Sequence, residues 1–155
     1  MNVYEYAMKV EKEGEAYYRE LAAMSPNKGL KKIFSMLADE EVKHYNVFKN
    51  MLKKSDIPVD RLALETDTKI IFQTLREEKD SLDLTSNQIQ FYKDAIKREE
   101  DAHDFYFDKA KELESLEEKE IFLLIAIEEE KHKEVLQNIV SFIEEPANWV
   151  TAAEF

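Results

Sequence analysis

The chain has 155 residues and a mass of 18.3 kDa, which suggests a single domain with a hydrophobic core. Its 34 acidic residues outnumber 22 lysines and arginines, and the net charge of −12 argues against nucleic-acid binding. The lack of cysteine excludes disulfides, thiolate zinc sites and thiolate-bound iron–sulfur clusters. No signal-peptide pattern or apolar run of the roughly 18 residues that cross a bilayer is present, so a cytoplasmic location without membrane contact is expected.

The first half of the chain shows helical periodicity in two long segments. A first helix is predicted over residues 2–24, where apolar residues recur at helical spacing. Ser25 and Pro26 are then predicted to end it and to supply the N-cap and first position of a second helix, which runs to about residue 53.

The second half repeats this organisation. A third helix is predicted over residues 85–113, with Thr85 and Gln88 as a capping box, and a fourth from Ser115 to just before Pro146, with Glu118 as the box partner. The connection between the second and third helices is long, and residues 67–80 within it are predicted to form a shorter amphipathic piece.

Two short hairpin loops and one long middle connection predict an all-α, ferritin-like four-helix bundle with a single crossover between helices 2 and 3. No strand pattern is present. The predicted organisation is a bundle over residues 1–145 and a C-terminal tail over residues 146–155.

The strongest feature of the sequence is an internal repeat. Residues 3–52 align with residues 91–140 at a constant shift of 88 positions and without a gap. The identical pairs include tyrosine, glutamate, histidine and phenylalanine: Tyr4 and Tyr92, Glu11 and Glu99, Tyr18 and Tyr106, Phe34 and Phe122, Glu41 and Glu129, His44 and His132. The repeat predicts two equivalent helical hairpins related by a pseudo-two-fold axis down the bundle.

The repeated polar residues share faces with apolar and aromatic residues, so their side chains are predicted to point into the core. These residues comprise four glutamates and two histidines: Glu11, Glu41, His44, Glu99, Glu129 and His132. Four buried carboxylates must be protonated, paired with cations or bound to metal. The inward faces supply no matching lysine or arginine, and two divalent ions would balance the four negative charges.

The donor set of oxygen and nitrogen without sulfur suits iron or manganese. Di-iron bundles take one glutamate from each of two helices and a Glu-x-x-His pair from each of the other two, and the six residues match that set. A single such pair would mean little in a glutamate-rich chain, since Glu100 also precedes His103 by three positions. The prediction of a dinuclear centre therefore depends on the repeat.

Other side chains leave alternatives open. His103 can be a hydrogen-bond partner of a ligand, an extra ligand or a surface residue. Tyr18 and Tyr106 can be plain core aromatics, or catalytic-site phenols that hydrogen-bond to ligand carboxylates across the bundle. Trp149 can cap the bundle or contact a partner.

The motifs Glu11-x-x-Gly14-x-x-Tyr17-Tyr18 and Ala38-x-x-Glu41-x-x-His44, with their counterparts in the second half, resemble the rubrerythrin branch of the ferritin-like di-iron proteins. The resemblance implies a carboxylate-bridged centre of two iron ions. It also implies reduction of hydrogen peroxide, and more slowly of dioxygen, with electrons from a small redox protein such as a rubredoxin, in a protein that forms a homodimer.

Two departures from the rubrerythrin pattern bear on function. The chain has no cysteine for a rubredoxin domain, so it would need an external electron donor. Ala102 stands where rubrerythrins usually carry a further glutamate, and the remaining ligand set resembles that of bacterioferritin. The alternatives are a ferroxidase or iron-handling protein, a non-catalytic metal-binding module, and a manganese catalase-like enzyme.

Overall fold

A computed structural model of the chain describes residues 1–54 and 86–144, and these residues form four helices and no strand. The helices are α1 (Val3–Met24), α2 (Lys28–Leu52), α3 (Ser86–Glu112) and α4 (Leu116–Glu144). The prediction of an all-α, ferritin-like bundle is confirmed. The amphipathic piece predicted for residues 67–80, the Thr85 cap and the tail with Trp149 lie outside the described residues.

The turn between α1 and α2 differs from the prediction. Ser25 does not cap α2, because its hydroxyl donates a hydrogen bond back to the Leu21 carbonyl at 2.7 Å and so helps to end α1. The N-cap is Asn27, whose side-chain oxygen accepts hydrogen bonds from two backbone N–H groups of the first turn at 2.8 and 3.1 Å. The predicted start of α2 at Pro26 is therefore wrong by two residues.

Side chains also cap the starts of α1 and α4. Asn2 caps α1 by accepting a hydrogen bond from the Glu5 N–H at 2.8 Å. Ser115 precedes α4 and its hydroxyl accepts from the Glu118 N–H at 3.3 Å, which is one half of the predicted capping box. The Glu118 side chain accepts a hydrogen bond from the Tyr4 hydroxyl at 2.6 Å.

The direction of the symmetry axis also differs from the prediction. Tyr18 of α1 contacts Glu99 of α3, and Glu11 of α1 contacts Tyr106 of α3, so the two helices run antiparallel. An axis down the bundle would leave them parallel, and the pseudo-two-fold axis is instead perpendicular to the helices. The reason is that α2 and α3 run in the same direction, as the single-crossover topology requires.

The core consists of two apolar clusters with a polar band between them. One cluster surrounds Phe34 and Tyr92, and the other surrounds Phe48 and Phe122. The band between them contains buried glutamates and histidines from all four helices. None of the four described helices is long and apolar enough to span a bilayer.

Candidate metal centre

The six predicted ligands converge in the polar band. All are at most 4% exposed, and they come from α1 (Glu11), α2 (Glu41 and His44), α3 (Glu99) and α4 (Glu129 and His132). They form two groups in which every residue offers a ligand atom within 4.8 Å of the others. The first group is Glu11, Glu41, His44 and Glu129, and the second is Glu41, Glu99, Glu129 and His132.

Two glutamates belong to both groups. Glu41 of α2 and Glu129 of α4 each lie close to the histidine of the opposite hairpin. His44 Nδ1 is 2.7 Å from Glu129 Oε1, and His132 Nδ1 is 3.0 Å from Glu41 Oε1. These two carboxylates are therefore placed to bridge two metal positions, while Glu11 and Glu99 lie at the outer sides.

The residues fit a pair of metal ions. Both ring nitrogens of His44 and His132 and one oxygen of each of the four carboxylates are buried without a hydrogen bond of acceptable geometry. Buried polar atoms normally have partners, so this concentration of unpartnered donor atoms indicates a ligand. Each group offers three carboxylates and one imidazole and no sulfur, which is a donor set for iron or manganese.

Protons balance part of the charge in the metal-free centre. Burial, followed by the charges of neighbouring carboxylates, raises the pKa of Glu41 and of Glu129 well above the usual value. Burial also acts to raise the pKa of Glu11, but a hydrogen bond with Glu41 and the charge of His44 outweigh it and lower that pKa. The pKa of Glu99 is lowered in the same way, with His132 as the main opposing charge. Of the four carboxyls, the two that belong to both clusters therefore have the higher affinity for protons.

Two phenols donate hydrogen bonds to the outer carboxylates. Tyr106 donates to Glu11 Oε1 at 2.7 Å, and Tyr18 donates to Glu99 Oε1. Burial, followed by the neighbouring carboxylates, raises the pKa of both tyrosines well above 10.0, so the phenols stay protonated. The hydrogen bonds across the bundle are present, and a catalytic role for the tyrosines remains a prediction.

A small cavity reaches the centre between α1 and α3. Its volume is about 20 Å³, and its lining includes Gly14, Glu41, Glu129 and Ala102. A second cavity of about 160 Å³ on the same face also has Arg98 and Ala102 in its wall. Residues of small volume on α1 and α3 thus leave a way from the surface to the carboxylates.

The remaining histidine lies away from the centre. The side chain of His103 is 31% exposed, its Nδ1 is 3.0 Å from Asp104 Oδ1, and its ring stacks on Phe107. Among the three alternatives for His103, the structure supports a surface residue.

Two buried acids were missed by sequence reasoning. Glu40 and Glu128 are 3% and 2% exposed and precede the bridging glutamates on α2 and α4. Glu40 joins His44 and His132 in a third group of ligand-type atoms within 4.8 Å. The available signal was the repeat, because the shift of 88 also aligns Glu40 with Glu128.

A bundle of this topology with two carboxylate-rich clusters defines the class of ferritin-like, dinuclear carboxylate proteins. Within that class, the family model described as Rubrerythrin matches residues 2–140, and the chain belongs to the rubrerythrin family. No curated protein and no solved structure gives a significant match. Family membership supports a di-iron carboxylate protein with oxidoreductase activity in general.

Proposed function

We propose that this protein reduces hydrogen peroxide to water at a centre of two iron ions, with electrons from an external donor. One peroxide molecule takes up two electrons and two protons and gives two water molecules. The observation that supports the proposal most directly is the pair of four-residue clusters that share Glu41 and Glu129. Two iron ions bound there would each supply one of the two electrons.

The six ligands have distinct tasks in this proposal. Glu41 and Glu129 would be shared by the two ions, because each belongs to both clusters. His44 and His132 would each bind one ion through Nδ1, the nitrogen that faces the carboxylates. Glu11 and Glu99 would complete the ligand set, and small residues on their side of the bundle leave room for the oxidant.

The two tyrosines keep the outer carboxylates in place. Tyr18 and Tyr106 retain their protons, so they stay hydrogen-bond donors to Glu99 and Glu11 while charge at the centre changes. A fixed outer carboxylate reduces the reorganisation that accompanies electron transfer and peroxide binding.

The cavity favours a small oxidant. A volume of about 20 Å³ beside Glu41, Glu99 and Glu129 holds a molecule of about the size of water. Hydrogen peroxide and dioxygen suit such a space better than a bulky organic hydroperoxide does. Arg98 lines both this cavity and the larger one outside it, so we propose that the oxidant passes this side chain.

The electrons must come from another molecule under this proposal. The sequence contains no cysteine, so its residues cannot form a rubredoxin-type iron site. A small redox protein such as a rubredoxin is the proposed donor, and a homodimer is the proposed assembly.

Single-turnover kinetics test the proposal. Protein loaded anaerobically with Fe(II) is mixed with equimolar hydrogen peroxide, and oxidation is followed by stopped-flow absorbance. We expect Glu41→Ala and Glu129→Ala to lose metal binding and rapid oxidation, whereas Glu134→Ala, at an exposed position of α4, keeps both. Full peroxide turnover by either bridging variant would contradict the proposal.

Ferroxidase or iron-handling activity is a second candidate, which one observation favours. Ala102 lines the cavity and is 8% exposed, so no carboxylate stands at the position where rubrerythrins usually carry a further glutamate. The same stopped-flow experiment with dioxygen in parallel distinguishes the two functions. Faster oxidation by dioxygen, with iron leaving the centre over repeated turnovers, would favour the ferroxidase. Metal analysis of the purified protein distinguishes iron from manganese.

A further inference from the structure

Two buried carboxylates lie outside the proposed ligand set. Glu40 and Glu128 occupy equivalent positions of the repeat and are 3% and 2% exposed. Lys43 Nζ is 3.1 Å from Glu40 Oε1, and Lys131 Nζ is 3.9 Å from Glu128 Oε1, so each acid has a lysine beside one of its oxygens. The other oxygen, Oε2, is buried without a hydrogen bond in both residues.

His44 and His132 each have a buried ring nitrogen without a partner, which could donate a hydrogen bond to such an oxygen. Their Nδ1 atoms approach the bridging carboxylates, and Nε2 of each is buried and without a hydrogen bond. When Nδ1 of a neutral imidazole binds a metal, Nε2 carries the proton and must donate it to an acceptor. Two buried Nε2–H donors and two buried Oε2 acceptors thus lack partners at the same level of the bundle.

These atoms lie near one another, although no hydrogen bond joins them in this geometry. One oxygen of Glu40 lies within 4.8 Å of a ring nitrogen of His44 and of His132. The two imidazole rings stack on each other, with centroids 5.6 Å apart, so an acid beside one ring is also near the other. Glu128 occupies the equivalent position of the repeat on α4, one residue before Glu129, and is buried to the same degree.

We propose that Glu40 and Glu128 are positioning residues that accept the Nε2–H hydrogen bonds of His44 and His132. This fixes the imidazole tautomer that presents Nδ1 to the metal and makes each imidazole a stronger ligand. Lys43 and Lys131 contact the other oxygen of each acid from the surface side. The inference rests on the proposed two-metal centre.

A third metal ion is the rival explanation of the Glu40 group. An ion bound by Glu40, His44 and His132 would need Nε2 of both rings free of protons, whereas the positioning role needs both protonated. The two explanations therefore predict different metal stoichiometries and different imidazole N–H signals.

Proton NMR of the protein loaded with Co(II) distinguishes the positioning role from the third metal site. We expect two cobalt ions per chain and two exchangeable, strongly shifted imidazole N–H signals that exchange slowly with solvent. In Glu40→Gln and Glu128→Gln at least one of these signals should move and exchange faster, and Co(II) affinity should fall about ten- to a hundred-fold. Glu134→Gln, an exposed position on α4, is the matched control and should leave the signals and the affinity unchanged.

Several results would overturn the inference. Three cobalt ions per chain would favour the third metal site, and Gln variants indistinguishable from Glu134→Gln would exclude a positioning role. If a Gln variant does not fold, the Co(II)-loaded wild-type protein alone tests the inference. Imidazole N–H signals that exchange too fast to observe would contradict the proposed hydrogen bonds. Failure of the two-metal proposal itself would show as wild-type protein that binds no pair of cobalt ions.

Discussion

Gly14 of α1 lies directly against the carboxyl group of Glu41: a Cβ atom at position 14 would come within 2.7 Å of Glu41 Oε2. The absence of a side chain on one helix thus makes space for the Glu41 carboxyl group on the next. The equivalent position of the repeat is Ala102, so this close approach occurs in one half of the bundle only.

We expect Gly14→Ala to separate fold stability from metal binding. Alanine favours the helix by about 0.5–1 kcal/mol over glycine, and the end of a flexible glutamate can move aside, so the metal-free protein should stay folded and at least as stable. The displaced Glu41 should bind metal more weakly. Thermal unfolding of the metal-free protein and Co(II) titration measure the two effects, and Ala16→Gly at an exposed position of α1 controls for helix propensity. Unchanged metal affinity would contradict the prediction.

The phenol hydrogen bonds should contribute to stability. Tyr106→Phe removes the donor to Glu11 Oε1 and leaves a buried, ionised carboxylate with one partner fewer. A hydrogen bond to a charged group contributes about 1.5–3 kcal/mol, so the free energy of unfolding of the metal-free protein should fall by about that amount. Urea denaturation measures the change. Tyr45→Phe, on a half-buried tyrosine away from the ligands, should have a smaller effect.

Metal affinity should rise with pH. The raised pKa values of Glu41 and Glu129 mean that these carboxyls hold protons in the metal-free protein, and they must release them to bind metal. The pKa of His132 is also raised, because the charge of Glu99 outweighs the effect of burial. Loading with metal should therefore release protons, most of all at low pH. Calorimetric titration in buffers of different ionisation enthalpy measures the number of protons released per metal ion. A metal affinity that does not change with pH would refute the prediction.

The same pKa shifts predict the stability of the metal-free protein. A carboxyl whose folded-state pKa is raised stabilises the fold at low pH and loses that contribution as pH rises through the folded-state pKa. Glu41 and Glu129 should therefore make the metal-free protein less stable as pH increases, whereas metal-loaded protein should not follow this trend. Melting temperatures of both forms across a pH series test it, and parallel curves for the two forms would count against it.

Arg98 should attract anions to the cavity. Its guanidinium lies 5.2 Å from the centroid of the Tyr17 ring and lines the route between α1 and α3. We expect Arg98→Met to weaken azide binding to the ferric protein by about 1 kcal/mol, which is about fivefold. Lys97→Met removes the same charge from the adjacent, 70% exposed residue and should change azide affinity less. Equal effects of the two variants would exclude a specific role for Arg98.

The convergence of the six predicted ligands could be foreseen from the sequence because two physical signals coincide in these residues. Helical periodicity places residues such as Glu11 and His44 on apolar faces. The repeat then gives each of them an identical residue at the equivalent position of the second half. The direction of the axis could not be predicted in this way, because a repeat gives pairs of equivalent residues and not the orientation of one hairpin against the other.

The burial of Glu40 and the N-cap of α2 at Asn27 could not be predicted from the sequence pattern. Glu40 lies one position before a ligand, about 100° around the helix, so the apolar stripe alone does not place it in the core. Ser25 and Asn27 are both good capping residues, and the choice between them depends on which backbone groups the tertiary turn leaves free.

Each of the two ligand-type clusters draws residues from both hairpins, three from one and one from the other. A single hairpin carrying one Glu and one Glu-x-x-His motif, paired with a second copy of itself across the perpendicular axis, would already supply all six ligands. The shift of 88 positions is the pattern that duplication and fusion of such a hairpin would leave in one chain. In a single chain the two halves need not be identical, and two repeat positions that line the cavity differ: Gly14 pairs with Ala102 and Val10 with Arg98.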